Sequence, residues 1–570
     1  MKTFGRRTFL RGAALLGATA VGGSWLTSTA SAGPPIGPHE AIVRDAAMVW
    51  HELPLEQWAG PLLGNGSVTT QVFGDQRGIA FTDLVRLDLA GTPTGARWQL
   101  DLWNAELTGT VTTTRGAVEL SALVHRQTGV LMVTVTPSGG EVAARWAGKV
   151  VGRHEVFLVG GTGDPQHLLT THRAWWNRLY TNSFVSLPDT SVQRFHVIQQ
   201  YHAAATVAPG TALASVPSML AGANQVALLV NVDTAPPLSL AAIPGTGSKG
   251  GAAENSVMAW NLPALWSLHE HRGDSPDAAI PLLRRAVDFY RAFLVRGSDG
   301  FLHLPVTHSP GHGDVADCTY DLALLRWAAG LLGEHDLVRD LVPYHIGPSG
   351  LMLGAGRPLT RSHRTAAHLV GLFPLHDSGI SRDVAQRSYR HWASMREDWT
   401  VDSHVAAASL AARVREPNAA AGHLRHVLDL NAWSVPFGVS QAVLDLVVHG
   451  RSGAVDVFPS IPDGWDEVSV ESLRVPGACL IDASRSRGRT DWVRIRGAKG
   501  QSLLVGHDIE DVRVTDPNGT PLPAVAEEAG IRVTLPPSGA VVLSRRGHVP
   551  DLLPRVVSRS RTADATSSKA

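Results

Sequence analysis

The period of the hydrophobic pattern changes twice along this chain of 570 residues, and each change alters what the segment can fold into. From about Ile42 to Gly160 the chain runs in short β-branched stretches broken by glycine. Examples are Gly66-Ser67-Val68-Thr69-Thr70-Gln71-Val72-Phe73-Gly74 and Gly129-Val130-Leu131-Met132-Val133-Thr134-Val135, a pattern that predicts an antiparallel sandwich. Near Gln166 the period becomes helical and stays so to about Gly450, as in Ala279 to Val295, Tyr320 to Gly333, Ser403 to Arg415 and Val439 to Val448. Each has apolar residues three and four apart, with breakers between them at Pro305, Ser309-Pro310-Gly311, Gly347-Pro348 and Pro417-Asn418. From Val455 strands return, with Val493-Arg494-Ile495, Ser502-Leu503-Leu504-Val505 and Ala540-Val541-Val542-Leu543, and turns such as Pro517-Asn518-Gly519.

The expected architecture is multidomain β + α: an N-terminal β-sandwich, a central (α/α)6-type helical toroid and a C-terminal β-sandwich. The expected boundaries are residues 40–160, 165–452 and 453–547, with a disordered Arg/Ser/Thr-rich tail over 548–570. No internal repeat of fixed period is visible.

Composition narrows the function. Hydrophobic residues make up 44% of the chain and charged residues 18%, which suits a core-forming globular protein. Fifty basic side chains balance fifty acidic ones, so no global field favours nucleic acid or an anionic membrane. Sixteen Trp against six Tyr hint at sugar-stacking surfaces, although structural indoles explain most such excesses.

Residues 1–32 read as a twin-arginine export signal: Arg6-Arg7, a weakly apolar run from Gly12 to Leu26, and the small-residue site Ala30-Ser31-Ala32. The run is too short and too glycine-broken to span a membrane, so a secreted mature chain, with no membrane partner after signal removal, is expected to begin near Gly33. Cys318 and Cys479 are the two cysteines, expected as buried thiols. No CxxC or HExxH cluster points to a metal, and no cofactor is expected. Gly64-Asn65-Gly66 has no Lys-Ser/Thr after it, which makes it a turn rather than a phosphate cradle, and no GxSxG supplies a nucleophile elbow.

Several segments in fixed order, over about residues 50 to 500, resemble glycoside hydrolase family 95, whose members are inverting α-L-fucosidases and α-L-galactosidases. They are Pro61-Leu62-Leu63-Gly64-Asn65-Gly66, His172-Arg173-Ala174-Trp175-Trp176, and Thr307-His308-Ser309-Pro310-Gly311-His312-Gly313 followed by Tyr320-Asp321-Leu322-Ala323-Leu324-Leu325-Arg326-Trp327. To these are added Ser362-His363-Arg364-Thr365-Ala366-Ala367-His368-Leu369, ending at Phe373-Pro374, and Val457-Phe458-Pro459-Ser460-Ile461-Pro462-Asp463-Gly464-Trp465. The resemblance implies a glycan partner, an oligosaccharide or polysaccharide of plant or microbial origin.

The departures fall on the chemistry. The family's general acid is the Glu of an "SPE" stretch, and that position here is Gly311, which has no proton to give. Of an Asn pair that holds the attacking water, Asn255 is in place and Ala253 is not. The family's base Asp falls where this chain reads Val435-Pro436-Phe437-Gly438, shortened across it. Thr365 and Ala367 replace a His and a Ser.

Two explanations compete. Either nearby carboxylates have taken over, with Asp314 or Asp317 as acid and Glu254, Asp377 or Asp402 facing it, or the fold survives as a carbohydrate-binding surface without hydrolysis. Inversion needs carboxyl groups about 6.5 to 9.5 Å apart. A lyase on a similar toroid, with a Tyr or His base, is a third reading.

The candidate catalytic residues are Asp314, Asp317 and Asn255. The candidate substrate-binding residues are His363, Arg364, His368, Trp260, His308 and His312, of which His308 and His312 flank Gly311 and could donate a proton in place of Glu. The plainer readings are a helix cap for Asp317, hydrogen-bonded histidines at a helix start for His363 and His368, an ion pair for Arg364, and core packing for Trp175, Trp176 and Trp327.

Overall fold

The computed structural model describes residues 37–552, apart from Gln76, 207–261, 264–265, Asp274, Ala278, 431–437 and His548. The protein is mixed β and α with several separate sheets, and it divides into two compact units, Met1–Thr181 with Gln200–Pro209 and Asn182–Gln199 with Gly210–Ala570. The export signal, most of the tail, Ala253, Glu254, Asn255, Trp260 and Val435-Pro436-Phe437 lie outside the described residues.

The first unit holds two six-stranded antiparallel sheets within the expected sandwich span. One runs through Met48–Trp50, Pro93–Asp101, Glu106–Thr113, Gly116–Val124, Leu131–Gly139 and Glu155–Val159. The alternation that predicts it is visible in burial, with Leu107, Val111 and Thr113 inward and Thr108 and Thr112 outward. In the second sheet Trp146 lies over Phe157 of the first, ring centroids 4.6 Å apart. The Gly64-Asn65-Gly66 segment is a turn: Asn65 Oδ1 accepts from Ser67 N at 3.1 Å and Val68 N at 2.8 Å, and Gly66 takes φ +91°.

The helix Pro165–Asn182 starts where Asp164 accepts from His167 N at 2.7 Å and proline takes the first turn. From sequence it opens the helical domain. The structure instead assigns it, up to Thr181, to the first unit, because Trp176 at its centre is fully buried there against Tyr201 at 5.1 Å.

In the second unit the helices Ile280–Arg291, Thr319–Leu331, Arg382–Ala393, Val401–Arg413, Pro417–Asp429 and Gly438–Val447 follow the helical period. Two ends differ from expectation. The first helix stops at Arg291, and Val295–Arg296 pairs with Leu302–His303 around a turn at Gly300, φ +88°. The last stops at Val447, and Val448–Arg451 is a strand, since a continuous valine-rich run satisfies either period.

The C-terminal strands form a six-stranded and a five-stranded sheet. The six-stranded one is completed by Phe184–Ser186, paired with Val468–Val475 from nearly three hundred residues later. Both cysteines are buried free thiols.

Candidate functional site

The strands Thr307–Ser309 and Gly313–Val315 make a hairpin whose tip is Pro310-Gly311-His312, with Gly311 and Gly313 both at φ +81°. The hairpin is held to the helix that follows it: Thr307 Oγ1 donates to Asp321 at 2.6 Å, and Tyr290 OH donates to the same carboxylate at 2.8 Å. Burial raises the Asp321 carboxyl above its ordinary range. Sequence reasoning gave Asp321 no role, although a lone Asp inside the apolar run Tyr320 to Leu325 was a signal that a partner is needed.

Facing the hairpin tip is the segment 361–369. Ser403 Oγ donates to Arg364 O at 2.8 Å, Trp392 Nε1 donates to His363 O at 3.3 Å, and Asp398 N donates to Ser362 Oγ at 3.0 Å. These bonds place His363 against the tip, its ring centroid 4.7 Å from that of His312, and His312 lies 6.3 Å edge-on from His368. His363 Nδ1 accepts from Thr365 N at 3.0 Å, which puts the proton of the neutral ring on Nε2. A β-carbon built on Gly311 would overlap this imidazole.

The three histidines are electrically quiet. Burial lowers His312 to about 4, helped by His363 and Arg361, and lowers His368 to about 3, while His363 is also lowered by burial. Neutral imidazoles hydrogen-bond a ligand at pH 7 but are poor proton donors to a leaving group. His312 Nε2 and His368 Nδ1 are buried with no protein partner.

The two loop carboxylates separate. Asp314 is exposed on the hairpin and pairs with His308 Nδ1 at 3.0 Å. Asp317 is buried at φ +46°: Oδ2 is met by His303 Nδ1 at 2.8 Å and His345 Nε2 at 3.3 Å, and Oδ1 accepts from Leu304 N at 2.9 Å. It does not cap the next helix, whose N-cap is Cys318, because the left-handed backbone turns its side chain back toward 303–304. Burial pushes the Cys318 thiol up to about 12, which makes it inert at neutral pH.

Of the other carboxylates, Asp377 is engaged by Tyr344 OH at 2.5 Å and Gly379 N at 2.8 Å, and Asp402 lies exposed in the first turn of Val401–Arg413. Arg364 is exposed. Trp176 is core, as expected of it, while Trp175 lies half-buried under Arg126, 4.2 Å from the guanidinium carbon. Among the described residues no group of three or more His, Cys, Asp or Glu side chains is placed to hold a metal ion.

Sequence reasoning missed an aromatic and histidine cluster beside the 361–364 segment. Trp399 lies 4.3 Å from Trp392 and 5.1 Å from His404, and Arg396 sits over its ring at 5.5 Å. His404 Nδ1 meets His423 Nδ1 at 3.1 Å, Tyr389 OH meets His423 Nε2 at 3.1 Å, and the His404 ring lies tilted against His426, centroids 4.1 Å apart. The spacing of His423 and His426, three apart on one helix, was the available signal.

Two cavities open elsewhere in the second unit, of about 1080 and 420 Å³. Neither is lined by the hairpin tip or by His363 and His368.

No protein-family model and no curated protein matches the chain. Among solved structures it is similar to a putative kojibiose phosphorylase from the human microbiome, with TM-score 0.49 and 9% identity over 83% of this chain and 95% of that one. It is also similar to the alpha-L-rhamnosidase of Dictyoglumus thermophilum, TM-score 0.38, 10% identity, over 77% and 62%. A third is a family GH92 alpha-mannosidase of Bacteroides thetaiotaomicron, TM-score 0.33, 10% identity, over 86% and 83%. These neighbours are glycoside hydrolases and a phosphorylase. All three scores fall below 0.5, so the chemistry of the site rests on its own residues.

Proposed function

We propose that this protein is an exported carbohydrate-binding relative of the glycoside hydrolases, built as sandwich, helical toroid and sandwich, that engages a glycan through His312, His363 and His368 without cleaving it there. The observation that carries this reading is the one at Gly311. The residue that would bear a general acid has a backbone suited to glycine, and the imidazole of His363 occupies the space where its side chain would start. The other groups around the tip do not replace it: His312 and His368 are held neutral, and Asp317 has both oxygens engaged inside the fold. Unpartnered, buried imidazole nitrogens suit hydroxyl groups, which donate and accept in turn.

A second reading is favoured by Asp314. Its carboxylate is exposed on the same hairpin, and it is the group through which the protein would hydrolyse an α-linked fucoside or galactoside with inversion, with water held near Asn255.

One experiment separates the two: the purified mature chain is incubated with α-linked fucosides, α-linked galactosides and mixed polysaccharide. Products are separated by chromatography with anomer assignment, and binding is followed by calorimetry. Saturable binding without product is the expected result. Release of an inverted monosaccharide, abolished by Asp314→Asn, would replace the first reading with the second. Absence of both binding and product would sink both.

A further inference from the structure

We propose that the 420 Å³ cavity at the far end of the Thr319–Leu331 helix is a second carbohydrate site, binding a neutral mono- or disaccharide between Trp266, Trp327 and the Arg413–Asp445–Gln441 cluster. Trp327 lies eight residues beyond the helix start, about 12 Å along the axis at 1.5 Å per residue, so this is not the hairpin site. The cavity lies within the second unit, walled by helix residues and by Leu473 to Pro476 of the last sheets.

Its chemistry is specific. Arg413 donates to Asp445 Oδ1 at 2.8 Å, and Gln441 Nε2 donates to the same oxygen at 3.1 Å. Asp445 is bonded by the Ser409 hydroxyl as well, which leaves Gln441 Oε1 and Arg413 Nε buried without protein partners. Asp445 has no exposed surface and Gln441 is 4% exposed. Native proteins rarely leave buried polar atoms unpaired, and two beside one cavity call for a partner. One of these atoms accepts and the other donates, so an anion would fail the amide oxygen and a cation would fail the guanidinium. Hydroxyl groups serve both. The half-buried indoles of Trp266 and Trp327 supply flat apolar faces. The volume falls within the range of about 300 to 1,000 Å³ usual for small-ligand sites. Glu270 completes the wall, its carboxyl raised by burial above its ordinary range and hydrogen-bonded by the Trp266 side chain. Its backbone oxygen accepts from Gly477 N at 2.6 Å, which fixes the Trp266 helix to the turn before Cys479.

The test is calorimetric titration of the full mature chain with a panel of neutral mono- and disaccharides, together with hydrogen exchange of the wild-type chain with and without the tightest binder. The expected result is saturable binding weakened at least tenfold by Trp266→Ala and by Glu270→Gln, with exchange slowed over 266–273 and 441–452. The exchange map needs no variant and so stands even if Trp266→Ala does not fold. No saturation by any sugar would overturn the site. So would binding that His363→Ala abolishes and Trp266→Ala spares, or slowing confined to 307–315 and 361–369. These last two outcomes would leave glycan binding at the histidine cluster intact.

Discussion

The imidazole of His363 lies over the α-carbon of Gly311, in the space where a side chain at 311 would begin. Position 311 is thereby closed to an acidic side chain twice over, by the ring and by its left-handed φ of +81°. Gly311→Glu is expected to destabilise the protein rather than restore an acid. The left-handed backbone alone costs about 1–2 kcal/mol for a non-glycine residue, and displacing the ring adds to that. In urea denaturation, the double variant Gly311→Ala with His363→Ala should lose less than the sum of the two single changes. Strict additivity would mean that the ring is not the obstruction.

Asp314 and Asp317 should respond to the same chemical change to very different extents. Asp314→Asn alters an exposed carboxylate and is expected to stay within about 0.5 kcal/mol of wild type. Asp317→Asn removes the charge that two histidines and Leu304 N share inside the fold, and should cost about 1–3 kcal/mol. Equal urea midpoints for the two variants would contradict the structural role given to Asp317.

Stability should fall on mild acidification, and the histidine cluster should contribute to the fall. His312 and His368 have folded values lowered to about 4 and about 3, against about 6.5 in the unfolded chain. Below 6.5 the unfolded state therefore binds more protons than the folded one. The contribution is full above 6.5 and is lost as pH drops toward 4. Calorimetric midpoints between pH 7 and 4.5 should fall less steeply for a His312→Gln, His368→Gln double variant.

His303 runs the other way. Its hydrogen bonds to Asp317 and Asp299 raise it above the ordinary value, so its stabilisation is full below about 6.5 and fades as pH rises through the raised value. The midpoint difference between wild type and His303→Gln should accordingly be larger at pH 6 than at pH 9.

Breaking the buried Arg413–Asp445 pair at one end should cost about 3–5 kcal/mol, because the surviving charge is left without its partner. Arg413→Met is the variant to measure by denaturant titration, and Arg413→Met with Asp445→Leu should recover much of the loss.

Much of the fold was legible locally. The β-branched runs within Gly66 to Gly74 and Gly129 to Val135 gave strands, and the apolar spacing in Tyr320 to Gly333 gave a helix. Pro310-Gly311 marked a chain reversal, because proline and glycine restrict or free φ whatever surrounds them. The candidate site was legible only in part. His312, His363 and His368 do come together. Asp317 read as a cap because caps are recognised by position ahead of a helix, and nothing in the local sequence announces that His303 and His345 lie within reach. His404, His423 and Trp399 went unread because two helices and a loop supply them.

By itself the sequence determined the order of β and helical segments, the glycine-built turns at Asn65 and Gly311, and the absence of a carboxylate at 311. Each is a property of a residue and its near neighbours. Only the tertiary structure decided that Phe184–Ser186 completes a sheet with Val468–Val475, that Asp314 is exposed while Asp317 is buried, and that Trp266, Trp327, Arg413 and Asp445 wall one cavity. Those outcomes depend on which distant surfaces exclude water together, and burial, unlike the hydrophobic period, belongs to the packed chain rather than to any stretch of it.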